Sequence, residues 1–414
     1  MIERLVFYAF LVFVFLLAFM QPALQVDFHA VPGSDFAFLV VGLLWGLALI
    51  TKRTRFRFHK FYWLLLAYLG SMILPTALSP HLESSVIKLV GELYLVSIPI
   101  VALNLLTDER RIRFAVFAWL AGTSVCVLVG LLSIGLYYLG AGDSLLKFTL
   151  FDSGTLPAWS IPRIQSAFAN ANMLCNYLSV GSVLVLLSVQ QGWLRRSLGL
   201  VLLVGILICS AFTLSPGLGG VGLAIGLWLW FSERHRSIVL ARLSLLGAVL
   251  AAAVFFLAVL PAPNPQPSPA YSIAVPYTEY RIEPSARVMT WMGATNTFLS
   301  HPIAGAGLGE PATIVTYYPI FGPIQTLTDA HNTFLNVAAE QGILGFLALV
   351  LLTMYALMIS LQKNDLGLLA LGVAFLSAFV YQGLSGSFED ARHLWLLMGL
   401  MISWRRVHSA EPLA

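Results

Sequence analysis

Apolar runs of about 20 residues recur along almost the whole chain, and that recurrence limits the fold more than any other feature. A run of this length spans the hydrocarbon layer of a bilayer as a helix, because only a helix satisfies its own backbone there. On that rule, the spans fall at residues 5–23, 36–51, 61–79, 85–106, 114–139 and 171–190. Six more fall at 197–213, 218–232, 238–260, 332–361, 366–384 and 393–404. Composition agrees: mean hydropathy is +0.86 and only 10% of residues are charged, against roughly 25% in soluble domains. The expected fold is an all-α polytopic membrane protein with about twelve transmembrane helices. The first apolar run is long for a signal-peptide core and no small-residue cleavage site follows it, so an uncleaved first span is expected.

Charge orients these spans. Seventeen of the 23 basic residues fall in alternate connections or at the ends: Arg4, the cluster from Lys52 to Lys60, Arg110 to Arg113, Arg195 with Arg196, Arg234 to Arg242, Lys363, and Arg405 with Arg406. Such a bias marks the cytoplasmic side, which puts both termini inside. The same short runs, spread between apolar segments, are topology determinants and exclude a nucleic-acid-binding face. Cys126, Cys175 and Cys209 sit inside apolar runs, with neither a disulfide framework nor a metal-ligand spacing, and no metal site is expected.

Three segments follow from this division: residues 1–260 with nine spans, a large outer loop over 261–331 that contains short helices, and residues 332–414 with three spans and a cytoplasmic tail. The loop opens with Pro261, Pro263, Pro265, Pro267 and Pro269, which favour extended backbone. Tyr271, Tyr277 and Tyr280 follow, suited to stacking on sugars or to the headgroup zone. Residues 285–300 read as a helix carrying Arg287, Trp291 and Asn296, with Ser285 as its cap. A loop this long in a compact protein is usually functional.

Six basic residues remain for the outer side: Lys88, Lys147, Arg163, Arg281, Arg287 and Arg392. Snorkelling or a structural ion pair accounts for any one of them. Together with His331 they favour an anion-binding cavity. His331 lies where Thr328-Asp329-Ala330-His331-Asn332 opens a long apolar run, with Thr328 or Asp329 as the expected helix cap and His331 in the first turn. Asn332, Asn336 and Glu340 recur every four residues and form a polar stripe that lipid cannot satisfy. An imidazole at such a place suits a general base, although a histidine that merely caps is the plainer reading. Glu340 reads as a buried structural acceptor. Asn172 and Asn176 read as contacts between helices.

Several of these residues form ordered motifs. Arg287-x-x-x-Trp291 comes first, then His301-Pro302-Ile303-Ala304-Gly305-Ala306-Gly307, then His331-Asn332-x-x-Leu335 with Glu340-x-Gly342-x-x-Gly345. Arg163-x-x-Ser166-x-Phe168-x-Asn170-x-Asn172 precedes a middle span. This set resembles the signature of the O-antigen ligase and O-antigen polymerase superfamily, and the span count and late outer loop are similar too. The resemblance implies a metal-independent glycosyltransferase of the bacterial inner membrane, needing no cofactor and facing the periplasm. Its donor would be an undecaprenyl-pyrophosphate-linked glycan. Its acceptor would be a lipid A-core sugar in a ligase, a growing chain in a polymerase, or a protein hydroxyl in the related oligosaccharyltransferases. The ligase is the expectation, and a lipid-linked glycan transporter is the rival from another class. In that chemistry Arg163, Arg287 and Arg392 would hold the diphosphate, since guanidinium forks stabilise a leaving group that gains charge. His331 would act as base, with Asn332, Trp291, Tyr280 and Asn172 as glycan or supporting residues. One departure stands out: Leu214-Ser215-Pro216-Gly217 has proline where the family commonly has arginine.

The charge pattern predicts that a fluorescent reporter fused after Arg406 lights up in the cytoplasm. An alkaline phosphatase fused within residues 301–317 should be active outside. Reversed activities would exclude this orientation.

Overall fold

The computed structural model describes residues 2–26, 29–140, 149–150, 161–215, 217–231, 242, 247, 262–264, 273–274, 281–283, 286–317, 325–360, 365–384, 386 and 391–408. The span expected at 238–260, apart from residues 242 and 247, and Lys147, Pro216, Tyr280, Ser285 and nearly all of the proline run lie outside the described residues.

The helices are α1 (Ile2–Leu16), α2 (Gly33–Ile50), α3 (Phe61–Ser71), α4 (Ile73–Leu78), α5 (Leu82–Leu105), α6 (Glu109–Tyr138), α7 (Ala171–Gln190), α8 (Arg196–Phe212) and α9 (Leu218–Phe231). After the outer loop come α10 (Ala286–Ser300), α11 (Thr333–Ser360), α12 (Leu366–Phe375) continued by a π-helical segment (Leu376–Tyr381), and α13 (Arg392–His408). Among the described residues, six stretches are long and apolar enough to cross a membrane: Gly33–Ile50, Phe61–Leu78, Leu82–Leu105, Glu109–Tyr138, Ala171–Gln190 and Thr333–Ser360. A multi-pass membrane protein follows from that set.

Local signals account for several helix starts. Asp108 accepts the Arg111 N–H at 2.9 Å, Asn170 the Met173 N–H at 2.8 Å, and Asp365 the Leu368 N–H at 2.9 Å. Each satisfies one of the amides that a helix leaves without an internal partner. The expected first span ran to residue 23, yet α1 ends at Leu16. Beyond it the Met20 and Gln21 amides both bond the Ala167 carbonyl, so a tertiary contact ends the helix. Small antiparallel pairings also appear in connections: β1 (Ala23–Val26) with β2 (His29–Pro32), β5 (Arg281–Glu283) between β3 (Ala262–Asn264) and β4 (Ile273–Ala274), and β6 (Val315–Tyr317) with β7 (Gln325–Leu327). The outer loop therefore holds short strands beside the expected helix.

Burial separates the centre from the edge. In α7, 78% of the best apolar window is buried, against 22% in α2, so α7 is central and α2 faces lipid. Around α7 pack α6, α8, α9 and α12, while α13 lies along α5. Trp119 of α6 stacks on Tyr177 of α7 at 5.7 Å, and the His393 ring meets both edge-on.

The outer loop is locked into α11 at a break. Gly342 has φ 67 and ψ −162, which interrupts the helix. The loop partners the groups left open: the Ala306 N–H donates to Ala339 O at 2.8 Å, and the Gly307 N–H to Glu340 O at 3.2 Å. In return the Ile343 N–H donates to Pro302 O at 2.8 Å. Glycine is required on both sides. A Cβ at Gly342 would lie 2.2 Å from the Ile303 carbonyl oxygen, and one at Gly305 (φ 69) would lie 2.3 Å from the Glu340 carbonyl. Backbone cannot retreat as a flexible side chain can. Glu340 adds its carboxylate, accepting the Gly309 N–H at 2.9 Å and facing Lys88 at 3.6 Å. It is 6% exposed, the structural acceptor expected from sequence.

Gly342→Ala and Gly305→Ala should each destabilise the folded protein by at least 1–2 kcal/mol, roughly the cost of left-handed backbone before any clash. The check is the thermal midpoint in detergent, with Gly42→Ala, where a Cβ meets nothing within 4 Å, expected to change little.

Candidate active site at the outer ends of α7, α11 and α13

The turn before α11 is built from its own polar side chains. Asp329 Oδ1 accepts the His331 N–H, and Asp329 Oδ2 accepts from Asn336 Nδ2 at 3.0 Å. Asn336 Oδ1 in turn accepts the Ala330 N–H at 2.9 Å. This closed loop of bonds draws His331 into the left-handed region at φ 50, outside the helix. The cap is therefore Asn332, whose Oδ1 accepts the Leu335 N–H at 3.1 Å, and not Thr328 or Asp329 as the sequence suggested. Asp329 does other work: its Oδ1 lies 3.3 Å from His331 Nδ1, and the imidazole is about half exposed. Bulky residues at positive φ are uncommon and gather at functional sites.

Arg163 sits across the same end of the molecule. Its Nε donates to Thr213 O at 2.9 Å and an Nη to Asn172 Oδ1 at 3.2 Å. The residues on either side of this contact are also held at positive φ, Ser166 at 51 and Leu214 at 47. An arginine thus reaches the Thr213 carbonyl at the end of α8 from another part of the chain. Burial, and then the charge of Arg163, push the Arg287 guanidinium below its usual pKa, and burial does the same to Arg163. On α10, Thr290 Oγ1 bonds the Arg287 carbonyl at 2.9 Å and the Ala330 carbonyl at 3.3 Å, tying the Arg287 turn to the residue beside His331. Trp291 follows on the same helix, its indole N–H enclosed and without a hydrogen-bond partner among the described residues.

Arg392 has a different setting. Its Nε meets Asp35 Oδ1 at 2.5 Å and an Nη meets Asp35 Oδ2 at 2.6 Å, with the Tyr94 ring 5.7 Å from the guanidinium. The fork is already on a carboxylate, so a diphosphate would have to displace Asp35. Asp35 was missed in the sequence because α2 offers it only as a lone first-turn acid. Next to it in sequence, His393 Nε2 lies 2.6 Å from Asn176 Oδ1, and Asn176 Nδ2 donates to Ala378 O at 2.8 Å within the π-helical segment. Wider π-turns leave carbonyls open to such side chains. Asn172 and Asn176 stand one turn apart on α7, so contacts run from Arg163 through α7 to the start of α13.

The structure thus joins Arg163 with Asn172, brings Arg287 into the field of Arg163, and hangs His331 and Asn332 on the turn that Thr290 ties to α10. Arg392 is reached through Asn176 and His393 but is occupied. Arg281 lies in β5, and Lys88 belongs to the Glu340 clamp. No group of three histidine, cysteine or acidic side chains able to hold a metal ion occurs among the described residues.

Against models of known protein families and against curated proteins, the chain matches none. The likeness to the ligase and polymerase superfamily rests on the motif residues, the span count and the late loop read from the sequence.

Asp35 and Arg392 are each only 20% exposed, so removing one partner leaves a charge short of water and of its counter-ion. Asp35→Asn should cost about 1–3 kcal/mol of stability, discounted from fully buried pairs for the remaining exposure. The double variant Asp35→Asn/Arg392→Gln should recover part of that loss in a thermal-melt cycle. Strict additivity would show that the pair is not coupled.

Proposed function

We propose that this chain is an O-antigen ligase: a membrane glycosyltransferase of about twelve spans that moves a glycan from undecaprenyl pyrophosphate to a sugar hydroxyl of lipid A-core at the periplasmic face of the bacterial inner membrane. The observation that carries the reading is geometric: Arg163 is braced by the Thr213 carbonyl and Asn172, and the helix turn of Arg287 is tied through Thr290 to the turn that holds the His331–Asp329 pair. A diphosphate offers both guanidiniums acceptor oxygens and opposite charge. As the glycosidic C–O bond breaks, its electron pair goes to the diphosphate, where two forks receive the growing charge without a metal ion.

On the other side of the reacting carbon, the acceptor O–H must lose its proton as the new C–O bond forms. With His331 Nδ1–H turned to Asp329, Nε2 is the acceptor for that proton, and the carboxylate steadies the imidazolium that results. Asn172 orients Arg163, and Asn332 fixes the start of α11. Trp291 lies one turn beyond Arg287 on α10 and supports that helix with its enclosed indole. Arg392, paired with Asp35, supports the site from behind.

His331→Ala should lower transfer by about a hundredfold or more, the usual contribution of a positioned base, with expression unchanged. Arg287→Lys should also be severely impaired, since a point charge cannot reproduce a bidentate fork. The assay is purified protein with lipid-linked glycan, with and without lipid A-core. Glycosylated lipid A supports the ligase, longer lipid-linked chains indicate a polymerase, and full activity of His331→Ala removes the proposed base.

A further inference from the structure

The far end of α5 carries a second constellation, remote from His331. Ser85 at its start donates to the Leu308 carbonyl of the outer loop, whereas Asn104 at its finish lines a cavity of about 450 Å³. Lys52, Arg53, Arg55, Arg57 and Arg111 line the same cavity, against one acid, Glu3. Topology alone asks only that basic residues lie on this side. It does not ask that they surround one hollow.

The hollow is a built one. After α2, the Arg53 and Thr54 amides both bond the Ala48 carbonyl, at 2.9 and 3.2 Å, which curls the chain back on the helix end. Asn104 then pins the far side of the loop: its Oδ1 accepts the Arg57 N–H at 2.8 Å, while its Nδ2 donates to the Tyr62 hydroxyl and the Ile100 carbonyl, both at 2.9 Å. Arg111 is held by the Leu105 carbonyl at 3.0 Å and by Asp108 at 3.4 Å. None of Lys52, Arg53, Arg55 and Arg57 has a carboxylate within ion-pair distance among the described residues. The surroundings are cationic too. Burial first, and then Arg406, Arg405 and Lys60, lower the pKa of His59; burial and the charge of Arg57 lower that of Arg406.

Two further features select the ligand. Trp45 is part of the cavity lining, and its enclosed indole N–H has no hydrogen-bond partner among the described residues. A donor in that position asks for an acceptor oxygen. In addition, the lining includes Trp45 and Ala48 of α2, a helix whose Leu43, Leu47 and Ile50 are 66%, 49% and 81% exposed, and Phe56, half exposed. A cationic cup with an indole donor, set against an apolar helix face, fits a phosphodiester head with acyl chains attached.

We propose that this cavity binds the phosphate headgroup of an anionic lipid of the cytoplasmic leaflet. Lys52, Arg53, Arg55 and Arg57 supply charge, Trp45 donates to a phosphate oxygen, and the acyl chains lie along α2. The site is independent of the transferase reading and serves to anchor this end of the bundle to anionic membrane.

The test uses the full chain in mixed micelles, with binding of phosphatidylglycerol and of phosphatidylcholine followed by native mass spectrometry and by thermal midpoint. Phosphatidylglycerol should bind and raise the midpoint where phosphatidylcholine does not. Arg53→Gln/Arg55→Gln should weaken that binding roughly thirtyfold, at about fivefold per charge near a membrane surface. Arg195→Gln/Arg196→Gln, which removes two basic residues assigned to the same side but outside the cavity, should leave it unchanged. Trp45→Phe, which keeps the ring and removes the donor, gives a second reading, a few-fold loss. Equal losses in both arginine pairs, or equal binding of the two lipids, would overturn the proposal. So would a stabilisation by millimolar inorganic phosphate that phosphatidylglycerol does not exceed, since the ligand would then be a soluble anion.

Discussion

A helix that stops and restarts among apolar neighbours must find new partners for every amide and carbonyl it releases, because lipid offers none. At Gly342 the outer loop meets that demand, with Ala306, Gly307 and Pro302 exchanging backbone bonds with Ala339, Glu340 and Ile343. The consequence reaches beyond the break. The loop cannot leave without exposing the helix, so α10, which precedes it, and the Asp329–Asn336 turn, which follows it, are held against the bundle. Arg287 and His331 inherit their positions from this lock.

Polar groups elsewhere obey the same economy by different means. The π-helical segment after α12 releases the Ala378 carbonyl, and Asn176 takes it while its other end meets His393. Arg392 enters the bundle accompanied by Asp35, which spares a half-buried cation its desolvation cost. Arg163 is braced differently, by the Thr213 carbonyl and by Asn172, and its charge is felt at Arg287.

The two ends of the molecule thus divide their cations by arrangement and not by number. At one end Arg163 leans on Asn172, and α10, which carries Arg287, is tied to the residue before His331. At the basic end more of them encircle a hollow next to lipid-facing helix. Counting charges per connection yields orientation, while only the fold of the segment after α2 against the ends of α5 and α6 shows that Lys52, Arg57, Asn104 and Arg111 share a cavity.

By itself the sequence determined the helical, membrane-spanning class, the prominence of the late outer loop, the helix near 285–300 and the structural place of Glu340. These are written in run length, charge bias and a four-residue repeat, all local signals that survive without knowledge of neighbours. Tertiary structure alone decided that Asn332 and not Asp329 caps α11, that α1 ends at Leu16, and that Arg392 is taken by Asp35, 357 positions away. It also decided that Arg163 leans on Asn172 and shares its field with Arg287. Such outcomes depend on which helix ends lie side by side, and a partner for a buried charge is chosen by distance in space, which residue spacing along the chain does not encode.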